Sequence, residues 1–144
     1  MSSSSFIRLK RSGVAKAPDG LDGYTVVFPW AQDALDKMAA RLGLQPPANF
    51  VFASRTAYED AAGRELPAKL RKQFDAQHEW HDAAAGLHTF TSLKTYLEAN
   101  KAEGQKLIGE HNDFDSVLLT VDVMRRILQA AAKSGDSFRI EHEF

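Results

Sequence analysis

Twenty residues near the C-terminal end, Phe114 to Lys133, place apolar side chains on almost every side of a helical wheel. Asp115, Asp122, Arg126, Gln129 and Lys133 make one narrow polar stripe, and Phe114, Val117, Leu118, Val121, Val123, Met124, Ile127 and Leu128 stand around the rest. A helix lying on a surface buries one stripe, whereas one this apolar must be covered on more than one side. The segment is therefore expected to be wedged between a sheet and a neighbouring helix. Ser134-Gly135-Asp136 ends it, and Phe138 to Phe144 then alternates strictly, with Phe138, Ile140 and Phe144 on the apolar face of a strand.

The rest of the chain has to supply those partners. Ser2 to Ser5 reads as a frayed polar leader. Phe6 to Lys10 alternates as a strand, and Pro18-Asp19-Gly20 and Asp22-Gly23 carry turn chemistry. Tyr24 to Phe28, rich in β-branched and aromatic residues, reads as a second strand paired with the first in a hairpin and stopped by Pro29. Ala31, Leu35, Met38, Ala39 and Leu42 share a helical face that Gly43 ends. Asn49 to Ala53 reads as a third strand after Pro46-Pro47. Leu66, Leu70, Phe74, Gln77, Trp80 and Ala84 fall on one side of a single helix from Pro67 to Ala84, closed by Gly86. Another helix spans Thr89 to Asn100, and Lys101 to Gly109 reads as a polar connection. The expected order is β-β-α-β-α-α-α-β. This is an α+β fold, with a small mixed or antiparallel sheet of about four strands and helices layered on one face.

At 144 residues and 44% hydrophobic, the chain suits one domain, residues 1–144, with a real core. The absence of cysteine excludes disulfides, thiolate metal sites and a cysteine nucleophile, and it suits a reducing cytoplasm. The first ten residues hold no apolar run of signal-peptide length, and no window approaches the roughly 20 apolar residues of a membrane span. A net charge of −1 argues against bulk attraction to nucleic acid or anionic lipid. Lys10-Arg11 and Lys69, Arg71 and Lys72 do not build a sustained basic patch interleaved with aromatics. Charge is nevertheless uneven, at +4 over residues 1–72 and −5 over residues 73–144.

One cluster has metal-capable chemistry: His78-Glu79-Trp80-His81-Asp82, followed by His88. On the expected helix, His78 and Asp82 stand four residues apart, a spacing that can hold a divalent ion, with His88 or His111 completing the set. His81 points toward the apolar side, as an interior residue. The pattern falls one residue short of His-Glu-x-x-His, which rotates the second histidine by about 100°. The additional upstream histidine of HD-type metal phosphohydrolases is absent too. Phosphate-binding glycine loops and nucleophile elbows do not occur. No cofactor is expected.

Carboxylates are the other candidates. Asp113 is a natural N-cap for the long apolar helix, with Glu110 and Asp115 adding charge beside it. Glu141 and Glu143 are expected on the outward face of the last strand, while Trp30 and Trp80 are assigned to the core. The leading expectation is a non-enzymatic, cytoplasmic protein-binding domain. Its most concrete form is an immunity-type inhibitor that blocks a basic toxin domain through Glu110, Asp113, Asp115, Glu141 and Glu143. A small metal-dependent hydrolase using His78 and Asp82 is the alternative, and an obligate homodimer of structural role is the third.

Overall fold

The computed structural model describes residues 4–52, 59–60, 62–77, 80–110 and 112–143. Its centre is the C-terminal strand β5 (Ser137–Glu143), the longest in the sheet. Strand β1 (Ser4–Leu9) runs antiparallel along one side of it, in a register that sets Ile7 opposite Ile140. Beyond β1 lies the two-residue β2 (Gly13–Val14). The other side of β5 is shared by β3 (Val51–Phe52), parallel to it, and β4 (His81–Asp82), antiparallel. The sheet is thus mixed and has five strands among the described residues.

Alternation along β1 and β5 sends Ile7, Phe138 and Ile140 into the core, where all three are wholly buried. Helices α1 (Tyr24–Arg41), α3 (Ala83–Ala99) and α5 (Phe114–Lys133) cover that face. As its wheel requires, α5 is enclosed: it packs against α3, α1 and β5, and Val117, Val121, Val123, Met124 and Leu128 are fully buried. The α+β class, with helices layered over a small mixed sheet, is as the sequence pattern implies.

Several local expectations are overturned. The leader expected over Ser2 to Ser5 is not frayed in its described part: Ser4 and Ser5 open β1, paired with β5, and Ser5 is fully buried. Four further differences concern the elements themselves. First, residues 24–28 are the opening turns of α1, and no hairpin joins them to β1. Tyr24, Phe28, Ala31, Leu35 and Met38 recur with helical spacing and are all buried. The helical cost of two valines is below about 1 kcal/mol each. Burying a Phe, Leu or Met side chain contributes roughly 1.5–3 kcal/mol, so burial wins. Pro29 does not stop the segment but lies inside the helix, at a cost of about 3 kcal/mol that the buried face also offsets. In place of the hairpin, β1 turns directly into β2. Buried Asp136 ties down that turn, accepting hydrogen bonds from Arg11 N–H at 3.1 Å and Ser12 Oγ at 3.2 Å.

Second, the single helix expected over Pro67 to Ala84 is interrupted. Helix α2 (Ala68–Gln77) ends before His81 and Asp82, whose backbone pairs with Phe138 and Ser137 at the edge of β5. Asp82 then caps α3, accepting a hydrogen bond from Ala84 N–H at 3.0 Å. Third, Gly86 does not close a helix but lies within α3, in its first turns. A Cβ there would stand 2.3 Å from Phe138 Cζ, so the glycine permits the helix to touch the sheet. Fourth, Lys101–Ile108 is not a connection but helix α4. Its Gly104 lies against Leu97 and Phe114, where a Cβ would come within 2.9 Å of Leu97 Cδ2. Among the described residues, the elements with defined bounds follow in the order β-β-α-β-α-β-α-α-α-β.

Gly86→Ala is expected to destabilise the fold by about 1–3 kcal/mol through overpacking against Phe138. Urea melts of Gly86→Ala, Phe138→Leu and the double variant check this. The smaller partner should recover part of the loss, and additive losses would show that the contact is not the cause.

Candidate functional site

The N-terminal ends of α5 and α1 meet at one end of the helical layer. Asp113 caps α5, accepting hydrogen bonds from Ser116 N–H at 3.1 Å and Ser116 Oγ at 2.9 Å. Asp115 is exposed one residue into the helix, and Glu110 is exposed in the turn that follows Gly109, whose positive φ of 80° ends α4. The same loop reaches α1 through Asn112, whose Nδ2 donates to the carbonyl of Trp30 at 3.3 Å. Trp30 is not in the core: it is 66% exposed, with Val26 one turn earlier at 55%. Because residues 24–28 are helical, the buried face through Phe28 and Ala31 leaves Val26 and Trp30 on the solvent side. Leu119, one turn beyond Asp115, is also exposed, at 46%.

Leu119 borders a pocket of about 270 Å³ between α1 and α5, lined also by Leu21, Tyr24, Val27, Thr120 and Val123. Exposed Asp22 lies between two residues of that lining, Leu21 and Gly23. Tryptophan, apolar pocket and acids therefore occupy one end of the molecule. Such a combination suits recognition: an exposed aromatic side chain on the same helix that lines an apolar pocket, with acids close by in the chain. Asp22, Val26, Trp30 and Leu119 escape a reading that makes residues 24–28 a strand. The helical spacing of Tyr24, Phe28, Ala31 and Leu35 was the available signal.

The acids of the last strand lie elsewhere. Glu141 is on the sheet face opposite the helices, where it accepts from Arg8 Nε at 2.8 Å and Arg139 Nε at 2.7 Å. The Arg139 guanidinium also lies 3.9 Å from the ring centroid of Phe52 and 4.4 Å from that of Trp80. Trp80 is thus a half-buried stacking partner on the outer sheet face. The charge of Glu141 is locally outnumbered. Glu143 ends β5 opposite Ser4, and Phe144 lies outside the described residues.

Of the histidine cluster, the described members are His81, Asp82 and His88. His78 and His111 lie outside the described residues. His81 stacks edge-on against Phe50 with ring centroids 5.4 Å apart, Asp82 caps α3, and His88 is exposed along that helix. Asp82 belongs to β4 and not to a helix, so it does not lie on the helical face that the expectation assigned to it. Among the described residues no three His, Cys, Asp or Glu side chains are grouped to hold a metal ion.

His142 is a different case, and the sequence reading passed over it. It points inward from β5, stacks on Phe28, and places Nε2 3.0 Å from Gln32 Oε1. The amide oxygen accepts, so Nε2 donates and Nδ1 accepts from Ser5 Oγ. Gln32 continues the chain to Asp36, which also accepts from Ala48 N–H at 3.0 Å. Ser, His and Gln stand in the order of nucleophile, base and orienting group. Ser5, however, is 0% exposed and cannot meet a substrate. The arrangement serves as a polar strut between β1, β5 and α1.

Burial depresses the His142 pKa below its ordinary 6.5. The unfolded chain therefore takes up a proton more readily than the folded one. Stability should be undiminished above pH 6.5 and fall as pH drops below it. Burial raises the Asp36 pKa, with an opposite effect confined to the region above 3.8 where that carboxyl titrates. Urea melts between about pH 8 and about pH 5 should show the decline, and His142→Gln should flatten it. An equal slope in the variant would assign the dependence to another group.

A second cluster joins α3 to α5. Asp122, nearly buried, receives Lys94 Nζ at 3.0 Å and Arg125 Nη2 at 2.9 Å on Oδ1, and Arg126 Nη2 at 2.8 Å on Oδ2. Burial alone would raise its pKa. Hydrogen bonds from Lys94 and Arg125, with the charge of Arg126, more than offset this and hold the carboxyl below the ordinary value.

No protein-family model, curated protein or solved structure matches the chain. Among the described residues, no helix is long and apolar enough to cross a membrane.

Proposed function

We propose that the chain is a protein-binding domain that engages a basic partner through the acid-rimmed end of α1 and α5. The observation that carries this reading is Trp30, 66% exposed and tied to the loop that bears Glu110 and Asp113. Leaving so large an apolar side chain in water forgoes burial, which an interface restores. The 270 Å³ pocket beside Leu119 offers room for an aliphatic side chain of the partner. Asp22, Glu110, Asp113 and Asp115 would steer lysines and arginines toward it. An immunity-type inhibitor, covering the basic surface of a toxin domain in the cytoplasm, is the most concrete form of this function. The absence of cysteine suits that compartment. Glu141 and Glu143, on the last strand, lie away from this end, and Glu141 is already engaged by Arg8 and Arg139; the proposed contact set is therefore the acids at the ends of α1 and α5 alone.

The test separates anchor from rim. Partner captured with the wild-type chain should bind Trp30→Ala with a faster off-rate and an affinity at least about tenfold weaker. Glu110→Lys with Asp115→Lys should instead slow association and reduce its salt dependence. These two acids are chosen because replacing Asp113 also removes the cap of α5. Unchanged binding kinetics in both variants would exclude this surface.

A further inference from the structure

The cluster around Asp122 holds more positive charge than its carboxylate needs. One cation would neutralise Asp122, yet Lys94, Arg125 and Arg126 all converge on it. The group carries a local charge of +2 in a chain whose net charge is −1. Among the described residues, Asp122 is the single carboxylate that any of the three pairs with; Glu98 and Asp115, the next acids along α3 and α5, make no ion pair with them. Three like charges held together repel one another, and partial burial weakens the screening that water provides.

The donors are not exhausted by Asp122. Arg125 spends Nε and Nη2 on Oδ1 and turns Nη1 to Gln129 Oε1 at 3.3 Å. Arg126 makes one contact to Asp122 through Nη2, its side chain is 46% exposed, and its Nε and Nη1 make no other ion pair among the described residues. Lys94 gives one of its three ammonium hydrogens to Asp122. Asp122 thus orders three long side chains in advance, removing much of the entropy cost that a ligand would otherwise meet.

We propose that Lys94, Arg125 and Arg126 form an oxyanion site on the α3–α5 surface. Its ligand is a phosphate dianion, either free or as the phosphoryl group of a monoester. A dianion matches the surplus charge, and arginine forks with an adjacent ammonium suit tetrahedral oxygens. This site is separate from the acid-rimmed end of α1 and α5, and neither stands or falls with the other.

The probe is inorganic phosphate, titrated into the wild-type chain at ionic strength matched with potassium chloride and followed by backbone amide and arginine Nε resonances. The expected result is saturable shifts centred on Lys94, Arg125 and Arg126, with a dissociation constant of about a millimolar or tighter. Arg126→Gln, an exposed change, should leave the thermal melt in chloride intact and weaken phosphate binding at least about tenfold. Phosphate should raise the melting temperature of the wild type and not that of the variant. Glycerol phosphate binding more tightly than inorganic phosphate would identify a phosphorylated ligand; equal or weaker binding would identify the free anion. Shifts that grow linearly as they do with chloride, or affinity retained in Arg126→Gln, would overturn the site.

Discussion

The structure turns on the contact between α3 and the central strand at Gly86 and Phe138. The Phe138 ring occupies the space a Cβ would fill on Gly86, and Leu128 of α5 closes the same gap. The ring centroid of Phe50, leading into β3, lies 5.2 Å from that of Phe138, and the centroid of His81 in β4 lies 6.2 Å from it. One aromatic side chain thus joins two helices and the two short strands along one side of β5. Interiors packed at crystal-like density transmit such a constraint to all their neighbours. Much of the sheet's arrangement follows from it.

Polar order is built around this core and serves two different ends. Asp136, Asp82 and Asp113 each satisfy backbone donors where elements begin or turn. The Ser5–His142–Gln32 chain and the Asp122 cluster go further, since they place ionisable groups between elements. In the first, burial favours the neutral imidazole; in the second, three cations hold a carboxylate ionised. The molecule carries opposite charge at two places: acids around Trp30 and surplus cations on α3 and α5. Its small net charge conceals that division.

How much of this could be read in advance depended on whether the deciding forces were local. Helix α5 was legible to its last residue, because its wheel, its N-cap Asp113 and its Ser-Gly stop all agree. The strand β5 was legible from its alternation. Residues 24–28 were not, because β-branched propensity argued for a strand while the partners that bury Tyr24 and Phe28 lie far along the chain. That error also hid the site, since a strand ending at Pro29 sends Trp30 to the core. The acids at the start of α5 were visible as residue types; their meeting with Trp30 through Asn112 was not.

By itself, the sequence determined the α+β class, the enclosure of α5 and the absence of any thiol chemistry, because periodicity and composition act residue by residue. Only the tertiary structure decided that Gly86 opens a helix to the sheet instead of ending one. It also decided that His81 and Asp82 pair with β5, and that the cations of α3 and α5 gather on Asp122. Each of these joins residues distant in the chain, and the energy of such a contact is fixed by the surface it finds, not by its neighbours in sequence.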